Sequence, residues 1–271
     1  MKQTTAAGIG GAFVMLLLGV ILEGGNPAAF INIPAFVIVV GGTCCAMLAS
    51  SSMAEATSVP KLAILAMTGG APVDRPAVAR QMVGLAEKAR REGLLALESQ
   101  LEQVEDAFTR KGVSLIVDGT DSSVVEAILR SEIDGMAGRH AKNAKLFATL
   151  GGFAPTLGIL GTVLSLVHVL ENLSSPGALG HSIAGAFIAT LYGVGSANLI
   201  FLPISNRLKG LSETEVLYRE MILEGVLALQ AGDNPSMLAE RLDTYLEPTE
   251  RGKKNEPAGA AAAEPVLQEA A

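Results

Sequence analysis

Four long stretches of the chain consist of apolar and small residues and contain no Asp, Glu, Lys or Arg. They are Ala6–Leu22, Ile31–Ala49, Leu146–Leu170 and Ser182–Ser205. A helix needs roughly 20 residues to cross a hydrocarbon layer of about 30 Å. The pattern therefore predicts an all-α, polytopic membrane protein with four transmembrane helices. A cleaved signal peptide at the first run is disfavoured, because a second apolar run follows at once without a convincing small-residue cleavage site.

The interiors of the last two runs differ from those of simple membrane anchors. Each contains a proline, Pro155 or Pro203, which removes a backbone hydrogen bond and can kink a helix. Small residues also recur at helical spacing, which lets helix backbones approach closely; in the last run they are Gly185, Ala189, Gly193 and Ala197. The hydroxyl groups at membrane depth belong to Thr156, Thr162, Thr190 and Tyr192. Helix packing explains each feature alone, whereas the combination favours a helix pair that lines a path or wraps a partner helix.

The segment between the second and third apolar runs is predicted to be helical. Pro60–Met67 predicts a short amphipathic helix, and Arg75 followed by Pro76 predicts the start of another. After an interruption at Gly93, apolar residues at helical spacing predict a further helix over Leu94–Phe108.

A third helix of this segment is expected after the turn VDGTDSS, with Ser122 or Ser123 as its N-cap. Its apolar positions continue toward the third membrane run, so one uninterrupted helix into that run is predicted. Beyond Arg207, Ser212 and Glu215 fit a capping box that starts the next helix, which extends to Gly232. A last short helix is predicted from Pro235 to about Leu246.

These patterns divide the chain into predicted regions. Residues 1–52 carry the first two transmembrane helices, 53–145 a helical cytoplasmic domain, 146–206 the last two transmembrane helices and 207–247 further cytoplasmic helices. Residues 248–271 are rich in Ala, Pro, Gly and Glu. Such a composition cannot bury a core, so this tail is expected to be disordered.

The distribution of positive charge predicts the orientation of the helices. All 20 Lys and Arg residues lie at Lys2, within 61–145 or from Arg207 onward, and none lies in the turns at 23–30 and 171–181. Positive charge accumulates on the cytoplasmic side of membrane proteins. Both termini and the loop 53–145 are therefore expected in the cytoplasm. The net charge of -7 argues against nucleic acid as a partner.

The sequence offers little for catalysis. It contains no phosphate-binding loop, metal-ligand cluster or Ser/His/Asp arrangement, so a non-enzymatic protein without metal or cofactor is expected. Cys44 and Cys45 are adjacent in an apolar run and are predicted to be small buried hydrophobes. His168 and His181 are expected near the outer membrane surface, either as plain interfacial residues or in a proton relay.

Five motifs occur in register with this topology. They are GLLALE (Gly93–Glu98), VDGTD (Val117–Asp121), APTLGILGTV (Ala154–Val163), ATLYG (Ala189–Gly193) and EGVLALQAGDNP (Glu224–Pro235). In order and spacing the chain resembles the MotA/PomA family of flagellar stator subunits, from Met1 to about Leu246. The resemblance implies a homopentamer that surrounds two copies of MotB in the membrane lipid. MotB would supply an ion-carrying Asp, and ion flow would turn the rotor through the switch protein FliG.

The resemblance also implies roles for individual residues. Pro155 and Pro203 match prolines that couple ion movement to shape change, and Arg90 and Glu98 match a charged pair that binds the rotor. The residues expected to line the ion path are Thr156, Thr162, Ala189, Thr190 and Tyr192. Independently of the resemblance, the apolar runs contain no Asp or Glu. A channel built on them needs a carboxylate from a partner.

Two further features concern the ion and the rival interpretations. The resemblance implies that sodium-driven members of the family carry a Thr-Thr pair where this chain has Ala189 before Thr190. Because the methyl group of an alanine cannot coordinate an ion, protons are predicted to be the ion carried. An ExbB/TolQ-type energiser subunit is the nearest alternative, but such subunits are expected to have three transmembrane helices, whereas this chain is predicted to have four. A secondary transporter is less favoured, because the two pairs of crossings show no internal repeat.

Overall fold

The computed structural model describes residues 4–70, 74–171 and 176–250. Within these ranges every regular element is helical. The main helices are α1 (Thr4–Leu22), α2 (Ile33–Ser50, with a π-helical segment at Val37–Gly41), α3 (Met53–Thr68), α4 (Arg75–Glu92), α5 (Ala107–Val117), α6 (Ser122–Glu171), α7 (Pro176–Ser196), α8 (Leu202–Ala231) and α9 (Pro235–Asp243). A π-helical segment, Ala197–Phe201, lies between α7 and α8.

Four helical stretches are long and apolar enough to cross a membrane, which confirms the predicted spans. They are Thr4–Leu22, Ile33–Ser50 and parts of Ser122–Glu171 and Ser182–Ala231. The prediction that Cys44 and Cys45 are buried is wrong, because both are exposed. The buried positions of α2 follow a spacing of four residues, and the cysteines fall beside that stripe; these positions are Ala35, Val39, Thr43 and Met47.

The chain forms two compact units, Met1–Pro72 with Asp134–Glu215, and Val73–Ile133 with Val216–Ala271. We call them the first and second units. Their boundaries fall inside α6 and α8 and differ from the predicted regions, because α3 packs with the first unit. Leu62 and Ala66 of α3 share a core cluster with Phe147 and Leu150. The helix is also longer than the predicted Pro60–Met67, since Ser52 and Glu55 form a capping box ahead of it.

The second unit has a core of its own. Its fully buried large side chains include Met82, Leu97, Leu129, Met221 and Leu238. Gly112 and Gly225 belong to the same unit, and both leave no room for a larger residue. A Cβ added at Gly112 would lie 2.7 Å from Cγ2 of Val226, and one at Gly225 would lie 2.7 Å from Cε of Met82.

The predicted helix over Leu94–Phe108 is wrong. Gly93 adopts a φ of +86°, a short 3-10 turn covers Leu94–Leu97 and a single helical turn covers Glu98–Leu101. A new helix, α5, then begins because the Asp106 carboxylate accepts a hydrogen bond of 2.6 Å from the backbone N–H of Thr109. The apolar spacing spans two short elements, and the capping aspartate separates them.

The start of α6 also differs from expectation, whereas its continuity is confirmed. The N-terminal cap comes from Asp121, whose Oδ1 accepts hydrogen bonds from the backbone N–H and hydroxyl of Ser123, at 2.9 and 2.6 Å. These bonds lower the pKa of the Asp121 carboxyl. From Ser122 the helix runs without interruption to Glu171 through Pro155.

The capping box predicted at Ser212 and Glu215 does not exist, because both residues lie inside α8. The last helix does begin at Pro235, with Asn234 as its cap. On the other side of the spans, α7 already begins at Pro176, so the predicted turn at 171–181 is shorter than expected. Residues 251–271, which include most of the predicted tail, lie outside the described ranges.

Candidate functional site

Helices α6 and α7 approach each other at glycines. A Cβ added at Gly193 would lie 2.5 Å from the backbone oxygen of Ala154 and 2.9 Å from Cα of Gly158. A Cβ at Gly158 would lie 3.0 Å from the backbone oxygen of Ala189. Such distances are shorter than van der Waals contact, so only glycine fits at this crossing. The small-residue spacing in the sequence therefore marks the seam between these two helices.

The seam brings two hydroxyl groups together. Oγ1 of Thr162 lies 2.5 Å from Oγ1 of Thr190, 3.0 Å from the carbonyl of Gly158 and 3.1 Å from the carbonyl of Ala186. A hydroxyl has one proton to donate and two lone pairs that accept. Three oxygens thus surround one hydroxyl, which has a single proton to share among them.

Ala189 adjoins this hydroxyl pair and is fully buried, with 0% of its surface exposed. Its methyl group lies 3.0 Å from the position of a Cβ added at Gly161, so it fills the space between α6 and α7. It contributes no oxygen beside Thr190. Three of the five residues predicted to line the ion path, Thr162, Ala189 and Thr190, thus lie together at the seam, and their place on an ion path stays a prediction.

Thr156 and Tyr192 are not part of this cluster. The Thr156 side chain is exposed on α6 and donates a hydrogen bond of 2.7 Å to the Phe153 carbonyl. The Tyr192 hydroxyl donates to the Phe30 carbonyl and accepts from the backbone N–H of Asn32 at 3.3 Å. Tyr192 thereby fastens the turn between α1 and α2 to α7. Asn32 also caps α2, because its Oδ1 accepts a hydrogen bond of 3.0 Å from the backbone N–H of Ala35. An asparagine before an apolar helix is a capping signal, and it was not used in the prediction from sequence.

The two prolines occupy different backbone settings. Pro155 lies inside α6, where its ring removes the hydrogen bond to the carbonyl four residues earlier. Pro203 is the second residue of α8 and lies two positions after the π-helical segment Ala197–Phe201. Widened turns of this kind often occur at functional sites. Within that segment, Nδ2 of Asn198 donates 2.9 Å to the carbonyl of Val194.

The second unit carries the predicted rotor-binding charges. Arg90 lies at the end of α4 and Glu98 follows the 3-10 turn, and both side chains are exposed. Neither has an ion-pair or hydrogen-bond partner among the residues that the structure describes. Leu95 lies between them in sequence and is 73% exposed. The segment from Arg90 to Glu98, which we call the charged segment, also contains the exposed Arg91 and Glu92, and thus presents two positive charges, two negative charges and an apolar side chain to the surroundings.

Across the described ranges, no group of three or more His, Cys, Asp or Glu residues could hold a metal ion. His168 is exposed at the end of α6, with Nδ1 3.7 Å from the Glu171 carboxylate. The His181 side chain lies outside the described part of the chain. The chemistry that the spans offer is therefore that of hydroxyls and backbone carbonyls.

Comparisons with known proteins agree with this picture. Residues 100–221 match the profile of the MotA/TolQ/ExbB proton channel family. Motility protein A of Bacillus subtilis (strain 168) is 36% identical over 253 residues, which cover 93% of this chain and 94% of that protein. Chemotaxis protein PomA of Vibrio alginolyticus is 34% identical over 251 residues, covering 93% and 98%. A chain of the flagellar MotAB stator complex from Bacillus subtilis superposes with a TM-score of 0.87 at 36% identity, covering 94% of this chain and all of that one (100%).

A multi-pass, all-helical membrane protein with this profile and a hydroxyl-lined helix seam is a channel-type membrane subunit. More particularly, the chain belongs to the motility protein A (MotA/PomA) family, which makes it a flagellar motor stator subunit. The matches extend over nearly the whole chain and carry the name of motility proteins, so they favour the stator over the energiser and transporter alternatives. The family is one of channels and not a class of enzymes.

Proposed function

We propose that this chain assembles with a MotB-type partner and that the two together carry protons across the membrane to drive the flagellar rotor. The observation that carries the proposal is the Thr162–Thr190 hydroxyl pair at the α6–α7 seam. It lies in apolar runs that contain no Asp or Glu. Because proton transport needs a titratable group near the membrane midplane, the partner supplies the carboxylate and this chain supplies the hydroxyls. The solved complex from Bacillus subtilis contains MotA and MotB together, which supports this division.

The proposed ion is the proton because of the composition of the seam. Beside Thr190, the fully buried Ala189 contributes a methyl group and no third hydroxyl. A sodium ion that gives up its water needs several oxygens around it, whereas a proton needs only an acceptor and a donor within hydrogen-bond reach. Thr156, exposed on the same helix as Thr162, is proposed to face the same path, and the predicted place of Tyr192 on the path stays a prediction.

The assembly is proposed to contain five copies of this chain around two partner helices, within membrane lipid. Support comes from the large apolar side chains that α6 and α7 leave exposed, which neighbouring subunits or lipid must cover. They include Leu164, Val167, Leu170, Phe187 and Leu191. Pro155 and the π-helical turn before Pro203 are proposed to let these helices bend when the partner carboxylate gains or loses its proton.

The second unit is proposed to lie in the cytoplasm, with both termini, and to contact the rotor protein FliG through Arg90 and Glu98. The support is that both charges are exposed and unpaired among the described residues. Exposed ion pairs contribute about 0 to 1 kcal/mol and are screened by salt. Contacts of that strength form and break readily, which suits a subunit that must release the rotor at each step.

The experiment that tests the channel proposal replaces the hydroxyl pair. Thr190→Val removes one hydroxyl at nearly constant volume and should lower swimming speed and proton flux while co-purification with the partner persists. Thr214→Val is the control for the same substitution within a helix, since the exposed Thr214 hydroxyl donates a bond of 2.9 Å to the Gly210 carbonyl, away from the seam. Normal flux through Thr190→Val would show that the seam hydroxyls do not serve the ion path.

A further inference from the structure

The α6–α7 seam brings two helices close together without fixing how far one can slide along the other. Gly158 and Gly193 meet backbone to backbone, since a Cβ built on Gly193 would lie 2.9 Å from Cα of Gly158. Packed helices keep their register when side chains of one fill the grooves of the other, and glycine has no side chain to do so. The hydroxyl pair depends on that register. A slide of α7 by two residues moves Thr190 by about 3 Å, which is more than a hydrogen bond tolerates.

The continuation of α7 into α8 does not fix its register either. Leu202 of α8 is closely packed against α6, where a Cβ built on Gly151 would lie 2.7 Å from Cδ2 of Leu202. Between α7 and this contact lies the π-helical segment Ala197–Phe201. A π-helical turn is wider than an α-helical one, so its loss or movement shifts α7 along its axis while α8 stays in place. The register of α7 therefore needs a contact of its own.

Tyr192, on another face of α7, makes such a contact. It lies two residues after Thr190, which is about 200° around the helix, so it faces α2 while Thr190 faces α6. Its hydroxyl donates to the Phe30 carbonyl and accepts from the backbone N–H of Asn32 at 3.3 Å. Its ring meets that of Phe36 edge-on, with centroids 6.3 Å apart and planes at 87°. The hydroxyl thus uses both its proton and a lone pair on backbone groups next to the start of α2.

The apolar part of the same face adds contact area but no direction. Ile188 and Ala189 share a buried cluster with Ala35 and Val39 of α2, and Tyr192 packs against that cluster. Apolar burial is non-directional, whereas a hydrogen bond accepts only a narrow range of distances and angles. The hydroxyl of Tyr192 is therefore the directional contact between α7 and α2.

We propose that Tyr192 is a positioning residue, which holds α7 at the axial register that brings Thr190 against Thr162. The inference rests on the proposed function, in which this hydroxyl pair serves the proton path. It gives Tyr192 a role exerted through α2, distinct from its predicted place on the path itself. It also makes the turn between α1 and α2, which does not touch the hydroxyl pair, a part of what aligns the two hydroxyls.

Disulfide formation across the seam measures the register of α7 directly. The exposed Cys44 and Cys45 are first replaced by Ala, and Thr162→Cys is paired with Thr190→Cys. Because the two hydroxyl oxygens lie 2.5 Å apart, the paired cysteines should crosslink rapidly in membranes treated with an oxidant. The crosslink joins two positions of one chain, so its rate reports the register even where assembly with the partner is weakened.

Tyr192→Phe removes the hydroxyl and keeps the ring against Phe36, so it should slow this crosslink at least threefold. Tyr218→Phe is the control, since it removes a hydroxyl that is hydrogen-bonded to Asp106 in the second unit and should leave the rate unchanged. An unchanged rate with Tyr192→Phe overturns the proposal.

Proton flux through the complete complex, with both threonines intact, separates this inference from the proposed function. Tyr192→Phe should lower the flux at least threefold. Normal flux in Tyr192→Phe together with reduced flux in Thr190→Val overturns the inference alone, whereas normal flux in Thr190→Val counts against the proposed function and the inference together. Reduced flux in Tyr192→Phe with an unchanged crosslinking rate means that its hydroxyl acts on the path itself, and this result overturns the positioning role.

Discussion

Replacing Gly193 by alanine should push α6 and α7 apart. The added Cβ would lie 2.5 Å from the Ala154 carbonyl oxygen, and an ordinary contact begins at 3.4 Å, so the backbones must separate by about 0.9 Å. Thr162 and Thr190 lie one turn away along the two helices, and their oxygens are 2.5 Å apart. The same separation would stretch that distance beyond hydrogen-bond range. Overpacking costs about 1–3 kcal/mol and the lost hydrogen bond about 0.5–1.5 kcal/mol.

The assay compares Gly193→Ala with Gly195→Ala, which adds the same methyl group to the same helix where no atom lies within 4 Å. We expect the thermal unfolding midpoint of the purified complex to fall for Gly193→Ala only, and proton flux to fall with it. A destabilisation of 1.4 kcal/mol is a tenfold change in the folding equilibrium, well within what such measurements resolve. If both variants unfold at the same temperature and conduct equally, the seam is not tightly packed and the reasoning fails.

Four other outcomes are expected. Swimming speed should follow the proton gradient at fixed sodium, and strict dependence on external sodium together with resistance to a protonophore would contradict the choice of ion. Arg90→Glu and Glu98→Lys should each impair motility without loss of partner binding. Neutral replacements should have milder effects, because a charge reversal adds repulsion to the lost attraction. Normal swimming of the reversal variants would mean that other residues contact the rotor. In a variant without the native cysteines, Ser174→Cys should react with an impermeant thiol reagent added to intact cells and Ser99→Cys should not, and the reverse pattern would invert the proposed orientation. Burial raises the pKa of Tyr218 to about 12, so the folded state keeps this proton where the unfolded chain, with a pKa near 10, loses it. The contribution of Tyr218 to stability should be constant below pH 10 and decline from pH 10 to 12, so the measured stability should decline less over that range in Tyr218→Phe.

The long elements of the fold could be predicted from sequence because their signals are continuous. Runs without a charge define the spans, and the apolar spacing after Asp121 carries on into the third run, so α6 was expected as one helix. Part of the seam between α6 and α7 could be predicted from sequence, since small residues at a spacing of four indicate a close contact between helices. Which hydroxyls meet across it depends on the register of two helices, and Thr156 shows that a hydroxyl in the same run can lie apart from the pair.

The errors in the helix boundaries have a common physical origin in local capping. Asp106 ends the short turns that follow Glu98 and starts α5, although the apolar spacing continues across it. Asp121 displaces the neighbouring serines as cap of α6, and Ser212 is not a cap because α8 is already helical before it. A capping side chain competes with several equivalent candidates in sequence, and only tertiary packing selects among them. The hydrogen bonds of Tyr192 could not be predicted for another reason: its partners lie about 160 residues away in the chain.

The attachment of the α1–α2 turn to α7 has a consequence for the bilayer around the protein. Nδ2 of Asn32 lies 3.0 Å from a Cβ built on Gly185, and Gly185 stands nine residues inside α7, which begins at Pro176. At 1.5 Å per residue, α7 extends about 13 Å beyond the level at which α2 begins. Its apolar run begins only at Ser182, so about 4.5 Å of this extension is apolar and residues 176–181 continue the helix past it. A bilayer whose apolar layer ends near Ser182 leaves that extension among the lipid headgroups, and a thicker one would submerge the Asn26 and Asn32 caps, so the subunit should respond to the chain length of the lipids around it.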